Sequence, residues 1–238
     1  MAKSNRLSSL SIFMPAYNEA ENIRTTILDA QKAAETVTSD YEIIVVDDGS
    51  DDQTASIVRT LRKQDPNLRL IQHRSNQGYG AAVKTGLKAC KKDWIFFTDS
   101  DGQFRYDEFK DFVDGRGDAD LVIGYRLKRM DPFHRVFVAQ VLLKLWNFCL
   151  FGLTVRDVDC AYKLFPRRVW DRIKLDTESA ITVTELIVKA KRAGFKIVEL
   201  PVHHYARRFG RQTGGNWRVI VRAARESFHL YQELHGAK

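Results

Sequence analysis

Short apolar runs alternate with longer amphipathic stretches through the first half of the chain. Leu10 to Met14 reads as a strand ended by Pro15, Tyr41 to Val46 as a second, Leu68 to Gln72 as a third and Trp94 to Phe97 as a fourth. Each is short and largely apolar, as strands buried on both faces are. Between them the polar positions fall at helical spacing. Asn18 is placed to cap a helix from Glu19 to about Thr36, with Glu19 and Glu21 in its first turn, where carboxylates suit the helix dipole. Further helices are expected from about Asp52 to Lys63 and from Asn76 to Ala89. This alternation predicts an α/β chain with a Rossmann-like, mostly parallel sheet covered by helices on both faces.

The second half is less regular. A short helix near Tyr106 to Val113 precedes a strand from Asp120 to Ile123, which runs into Gly124-Tyr125-Arg126. Pro132 to Leu153 is the most unusual segment. Its Gln140, Lys144 and Asn147 form one narrow polar stripe, and residues such as Leu145, Trp146 and Phe148 cover the remaining circumference. A helix this apolar is either a core element or lies along a membrane, and the flanking basic residues and Trp146 favour the membrane surface. Ala161 to Phe165 reads as a strand, Ser179 to Ala193 as a helix carrying Glu185 among apolar neighbours, and Phe195 to Leu200 as a strand stopped by Pro201. An amphipathic helix from about Asn216 to Glu233 finishes the chain. No repeat or low-complexity linker divides it, so residues 1–238 are expected to form a single domain.

Composition narrows the classes. A hydrophobic content of 44% and a charged content of 29% are ordinary for a soluble globular protein. The net charge of +8 points to a polyanionic partner: nucleic acid, anionic lipid or a phosphorylated substrate. Cys90, Cys149 and Cys160 are widely spaced and form no CxxC pair, which suits a reducing compartment and excludes a zinc knuckle. The first ten residues lack the apolar core of a signal peptide, and no apolar run is long enough to predict a spanning helix. His203 and His204 are adjacent on an expected strand and would face opposite ways, so they do not share a metal.

The candidate chemistry lies in WIFFTDSDGQF, Trp94 to Phe104. A buried strand that delivers Asp99 and Asp101 to the carboxyl edge of a parallel sheet places them where open α/β folds bind ligands. Two carboxylates and the amide of Gln103 are hard donors, suited to Mg2+ or Mn2+ beside a diphosphate. Two nucleotide motifs fail. Gly78-Tyr79-Gly80 precedes a helix but has Val83 where the dinucleotide fingerprint needs a third glycine, and Lys84-Thr85 lacks the glycine that precedes a P-loop lysine. Net charge alone favours a nucleic-acid partner, but there is no aromatic stacking motif and Asp99 and Asp101 would go unexplained, so nucleic acid is not expected.

Seven motifs occur in a recognisable order: PAYNE at Pro15–Glu19, VDDGSDDQT at Val46–Thr54, NQGYGAAVKTGL at Asn76–Leu87, DSDGQ at Asp99–Gln103, GYR at Gly124–Arg126, DVDCAYKLF at Asp157–Phe165 and ELPVHHYARRFG at Glu199–Gly210. Together they resemble a family 2 glycosyltransferase of the GT-A fold, in the branch of dolichyl-phosphate mannose synthases and polyprenyl-phosphate glycosyltransferases. The resemblance implies one catalytic domain that transfers a hexose from GDP-mannose or UDP-glucose to a polyprenyl phosphate, with inversion. Unlike many such enzymes the chain shows no trailing hydrophobic spans, so it is expected to be a peripheral enzyme on the cytoplasmic side of a membrane, or to rely on a separate membrane-anchoring subunit. An alternative is transfer to a saccharide or protein hydroxyl.

The same resemblance assigns roles. Pro15, Tyr17, Glu19 and Asp48 match positions that hold the base and ribose of the nucleotide sugar, and Ser100 stands with them. Asp99, Asp101 and Gln103 match the metal and diphosphate site. Arg126 and Arg135 match arginines that seat the acceptor's phosphate, where planar forks suit phosphate oxygens. Arg207 matches the arginine of a loop that folds over the diphosphate. Where mannose synthases continue with Ser-Lys, this chain has Gln212-Thr213, and Arg211 is the candidate for the cation. A phosphomonoester is already anionic at neutral pH and needs no protein base; Asp157 and Asp159 are candidate bases if the acceptor is a hydroxyl.

Overall fold

The computed structural model describes residues 6–127, 143–210 and 217–236. Arg135, Gln140, Arg211 and the first half of the expected helix from 132 to 153 therefore lie outside the described residues.

Among the described residues, seven strands form one sheet in the order β3-β2-β1-β4-β6-β5-β7. They are β1 (Leu10–Ala16), β2 (Tyr41–Asp47), β3 (Leu68–Gln72), β4 (Trp94–Phe97), β5 (Leu121–Arg126), β6 (Lys163–Pro166) and β7 (Ile197–Val202). The helices are α1 (Ile23–Val37), α2 (Thr54–Arg62), α3 (Tyr79–Ala89), α4 (Phe109–Asp114), α5 (Lys144–Phe151), α6 (Arg167–Asp171), α7 (Ile181–Arg192) and α8 (Trp217–Gly236). Six of the strands run parallel, and β6 is reversed, antiparallel to both β4 and β5. The chain passes from β1 outward through β2 to β3, then returns to place β4 on β1's other side. The crevice above the carboxyl ends of β1 and β4 is thus the topological switch point, where such sheets bind ligands.

The expected strands are present, and three of them extend through a proline, β6 by its last residue, Pro166. β1 continues through Pro15, which is registered with Val46 of β2 but lies beyond the end of β4. β7 continues through Pro201 because it is an edge strand, where a missing N–H costs no ladder bond. A further correction concerns Asn18. Helix α1 starts at Ile23, with Asn22 at its cap position. Asn18 instead takes φ 57° and its side-chain oxygen accepts from the Asp51 N–H at 2.9 Å. Its amide works between loops rather than within a helix.

β4 is anchored on both faces. Phe97 stacks on Phe13 of β1 with centroids 5.0 Å apart, and Phe96 packs against Phe109 at 4.5 Å and edge-on to Tyr162 at 4.7 Å. Burying each such ring contributes roughly 1.5–3 kcal/mol. The glycines of NQGYGAAVKTGL serve this packing. A Cβ on Gly86 would stand 2.2 Å from the Phe13 ring, and one on Gly80 would stand 2.3 Å from the Thr182 hydroxyl. They bring α3 against β1 and against α7, and Gly78 supplies the turn before α3 at φ 99°.

Helix α5 is inverted relative to a soluble helix. Asn147 is 6% exposed, whereas Leu145, Trp146 and Phe148 are 57%, 42% and 56% exposed. The expected polar stripe is therefore split: Lys144 is exposed and Asn147 faces the protein. Among the described residues, no helix is long and apolar enough to cross a membrane.

Candidate active site

The carboxyl ends of β1 and β4 bring two predicted groups together. Ser100 donates to the Pro15 carbonyl at 2.7 Å, and Thr26 of α1 donates to the Ser100 carbonyl at 3.2 Å. The Asp99–Gln103 loop is thereby fastened to the end of β1. Gly102 turns it at φ 71°, and the Gln103 N–H donates to Asp101 at 3.0 Å.

Asp99 and Asp101 share a poorly solvated edge. Burial and the neighbouring charge of Asp101 push the Asp99 carboxyl up to about 7, and burial also raises Asp101. The Tyr79 hydroxyl, at the start of α3, donates to Asp99 at 3.0 Å. Sequence reasoning missed Tyr79, although it stands inside the Gly78-Tyr79-Gly80 stretch that fails as a dinucleotide fingerprint. Gln103 is buried and faces away from solvent: its amide nitrogen donates to the Tyr205 carbonyl at 2.9 Å, and its backbone carbonyl accepts from the Tyr205 N–H at 2.9 Å. It holds the segment after β7 against the loop.

That segment reaches over the site. Arg207 is bonded to Glu19, lies 3.5 Å from Asp101, and donates through Nε to the Phe209 carbonyl at 2.7 Å. Asn22 donates to the other Glu19 oxygen at 2.7 Å. Burial raises the Glu19 carboxyl, Asn22 and Arg207 oppose that rise, and Asp101 adds to it. A cleft of about 1090 Å³ opens beneath Tyr205–Phe209, from Asp101 down the side of α1 past Thr25 and Asp29.

Tyr17 is half-buried in the loop after β1. Asp48 is buried, and its oxygens accept from the N–H groups of Gln77 at 3.0 Å and Gly78 at 2.9 Å. His73 lies 2.6 Å from the same carboxylate and its other ring nitrogen 3.0 Å from Thr85. Asp48 thus fixes the turn that leads into α3 and Tyr79.

The other predicted cluster sits above β5 and β6. Arg126 donates to Asp157 from Nε at 2.6 Å, from Nη2 at 2.7 Å and from its backbone N–H at 3.3 Å. Burial works against the Arg126 charge, but Asp157's bonds outweigh it and raise its pKa. Asp159 is exposed, and its charge is felt at Arg126, Tyr79 and Lys163. Lys163, a lysine inside an apolar strand, was also missed. His203 and His204 do face opposite ways: His203 is exposed beside Glu108, and His204 is buried against Phe104.

The model of the family described as Glycosyl transferase family 2 matches residues 11–167, about two thirds of the chain, including all of β1 but Leu10, the acidic loop after β4 and Lys163. The chain belongs to glycosyl transferase family 2. A dolichyl-phosphate beta-glucosyltransferase of Dictyostelium discoideum is 30% identical over 216 residues, covering 82% of this chain and 65% of that protein. A polyprenol monophosphomannose synthase of Mycolicibacterium smegmatis is 29% identical over 230 residues, covering 88% and 83%. The chain spans 65% and 32% of the lengths of the first two curated relatives. Glucosyl-3-phosphoglycerate synthase of Mycobacterium tuberculosis, solved with Mn2+, UDP and its product, shares the fold at a TM-score of 0.69 with 18% identity, covering 97% of this chain and 81% of that one. The GT-A, mostly parallel α/β architecture expected from the sequence is the observed one.

Proposed function

We propose that this chain transfers a hexose from a nucleoside-diphosphate sugar to a polyprenyl phosphate at a membrane surface, inverting the anomeric carbon. The observation that carries the reading is the Asp99–Asp101 pair at the switch point, beside Glu19 and Arg207. Two carboxylates that hinder each other's ionisation, Asp99 being held at about 7, form a donor set that fits a divalent cation, Mg2+ or Mn2+. When bound, such a cation offsets charge that grows on the departing nucleoside diphosphate.

The chain's own residues do the rest. Glu19 and Tyr17 bind the nucleoside, and Ser100 keeps the acidic loop against the strand carrying Pro15. Arg207 leaves its carboxylate partners to meet the diphosphate, and Arg211 adds charge beside it. On the acceptor side Arg126 and Arg135 attract the lipid's phosphate, whose anionic oxygen attacks without a protein base. Both arms of Arg126 that face Asp157 are engaged, which counts against Asp157 as a base. That engagement, and relatives named for dolichyl-phosphate and polyprenol substrates, favour a lipid phosphate over a hydroxyl acceptor. The exposed Leu145, Trp146 and Phe148 support membrane contact.

The test is transfer of radiolabel from GDP-mannose and, separately, UDP-glucose to polyprenyl phosphate in detergent, with Mn2+ or Mg2+. Label extracted with the lipid, dependent on metal and lost in Asp101→Ala, is the expected result. Nucleotide release with a sugar or protein acceptor, and none with lipid, would overturn it.

A further inference from the structure

The reversal of β6 has a topological effect. Because β6 runs against β4 and β5, its amino end lies at the edge where their carboxyl ends emerge. The turn Asp157–Cys160 is thereby inserted between the acidic loop after β4 and Arg126 at the end of β5. Lys163 is the first residue of β6, registered with Phe97 on one side and Ile123 on the other.

A lysine at this place is unusual. It is 0% exposed, and a buried ammonium is costly unless its hydrogens are bonded. Its Nζ donates to the carbonyl of Val158 at 3.0 Å and to that of Cys160. Both acceptors belong to the turn, in which the Cys160 N–H also donates to the Asp157 carbonyl at 3.3 Å. Burial depresses the ammonium's pKa, and the charges of Asp157 and Asp159 oppose that. Methionine would fill the same volume without these costs, so packing alone does not explain the residue.

We propose that Lys163 is a positioning residue for sugar transfer: from the centre of the sheet it staples the Asp157–Cys160 turn, so that Asp157 holds Arg126 at the end of β5, where the acceptor phosphate is proposed to sit. The assignment rests on the function proposed above. Lys163 is placed to act chiefly through Asp157, and its charge also eases the ionisation of Asp99. Three links connect it to Arg126: ammonium to turn carbonyls, turn to Asp157, and Asp157 to the guanidinium fork.

The experiment compares Lys163→Met with the wild-type full chain. The variant is expected to fold with a modestly lower Tm, because relief from burying the ammonium is offset by the Val158 and Cys160 carbonyls it leaves unpaired. Its kcat should fall about 30-fold while KM for the nucleotide sugar changes less than about threefold. Amides of 157–162 should exchange faster, and those of Asp99–Gln103 should not. The losses from Lys163→Met and Arg126→Met should be less than additive, since both act through one link. Unchanged kcat, full additivity, or a loss of donor affinity and Tm in step with kcat would overturn the assignment, the last marking a merely structural lysine. Should Lys163→Met fail to fold, Lys163→Leu, which also lacks N–H donors, gives the same readouts. A wild type that transfers no sugar to lipid would sink the proposed function instead, and exchange at 157–162 would then decide the role of Lys163.

Discussion

Arg126 and Asp157 hold each other through two side-chain hydrogen bonds, Nε to Oδ2 at 2.6 Å and Nη2 to Oδ1 at 2.7 Å. The pair is largely buried, with side chains 9% and 13% exposed. Removing one partner of such a pair strands the other's charge, at a cost of roughly 3–5 kcal/mol for full burial. Asp157→Ala is therefore expected to lower stability by about 2–4 kcal/mol, and Arg126→Met with Asp157→Ala by less than the sum of the two. Urea unfolding of the four proteins measures this. Additive losses would mean that the pair is not coupled.

The acidic pair predicts an inverse dependence of stability on pH. Asp99 is lifted from the ordinary 3.8 to about 7, so the folded state retains a proton that the unfolded chain loses across that window. Stability of the metal-free protein should fall as pH rises through it, with the loss complete above the folded value. Mn2+ binds the ionised form, so its affinity should climb up to about tenfold per pH unit until Asp99 is ionised. Thermal unfolding with chelator or with Mn2+, at about pH 5 and about pH 8, checks both signs. A metal-free Tm that rises across this range would contradict the assignment of burial as the dominant cause.

Arg207 stands between Glu19 and Asp101, where it serves as an internal counter-ion. Donor-free Arg207→Ala should bind Mn2+ more tightly, by about tenfold, since it removes a cation held 3.5 Å from a largely buried Asp101 carboxylate. Its kcat should nevertheless drop, because the same guanidinium is needed at the diphosphate. Titration of Mn2+ by electron paramagnetic resonance separates the two effects. Weaker metal binding in the variant would rule out the counter-ion role.

The exposed face of α5 should insert into anionic vesicles. Trp146 emission is expected to shift to the blue on binding, in a variant that retains Trp146 alone among the four tryptophans. Replacing Leu145 and Phe148 with serine should weaken vesicle binding by more than about tenfold, at ~1.5–3 kcal/mol for each apolar side chain buried. Affinity for the nucleotide sugar should be unchanged. Vesicle binding that survives both substitutions would place the membrane contact elsewhere.

Gly80→Ala and Gly86→Ala test the packing of α3. The added methyl meets the Glu178–Ser179 backbone and the Thr182 hydroxyl in the first case and the Phe13 ring in the second, all under 3.0 Å. Each should destabilise by about 1–3 kcal/mol, measured by urea unfolding. Gly117→Ala, with nothing within 4 Å of the new Cβ, controls for crowding but not for backbone strain at its φ of 55°.

The strands, the helices between them and the acidic loop after β4 were legible in the chain because burial leaves a local record. An unbroken apolar run such as Ile95–Phe97, set between polar turns, marks a covered strand, and the polar residues after it must emerge at an edge. Exposure of Leu145, Trp146 and Phe148 was likewise foreseeable from a polar stripe too narrow to cover a helix. Tertiary structure alone decided the rest. Periodicity reports whether a residue is buried and says nothing of its partner. Arg126 and Asp157 are 31 positions apart, and they meet because β6 enters the sheet reversed, which no local pattern encodes. Asn18 looked like a helix cap because its neighbours are helix-favouring, yet the loop after β2 claimed its side chain. Lys163 stands in an expected strand with nothing local to mark it; its burial follows from a strand order set by the packing of the whole sheet.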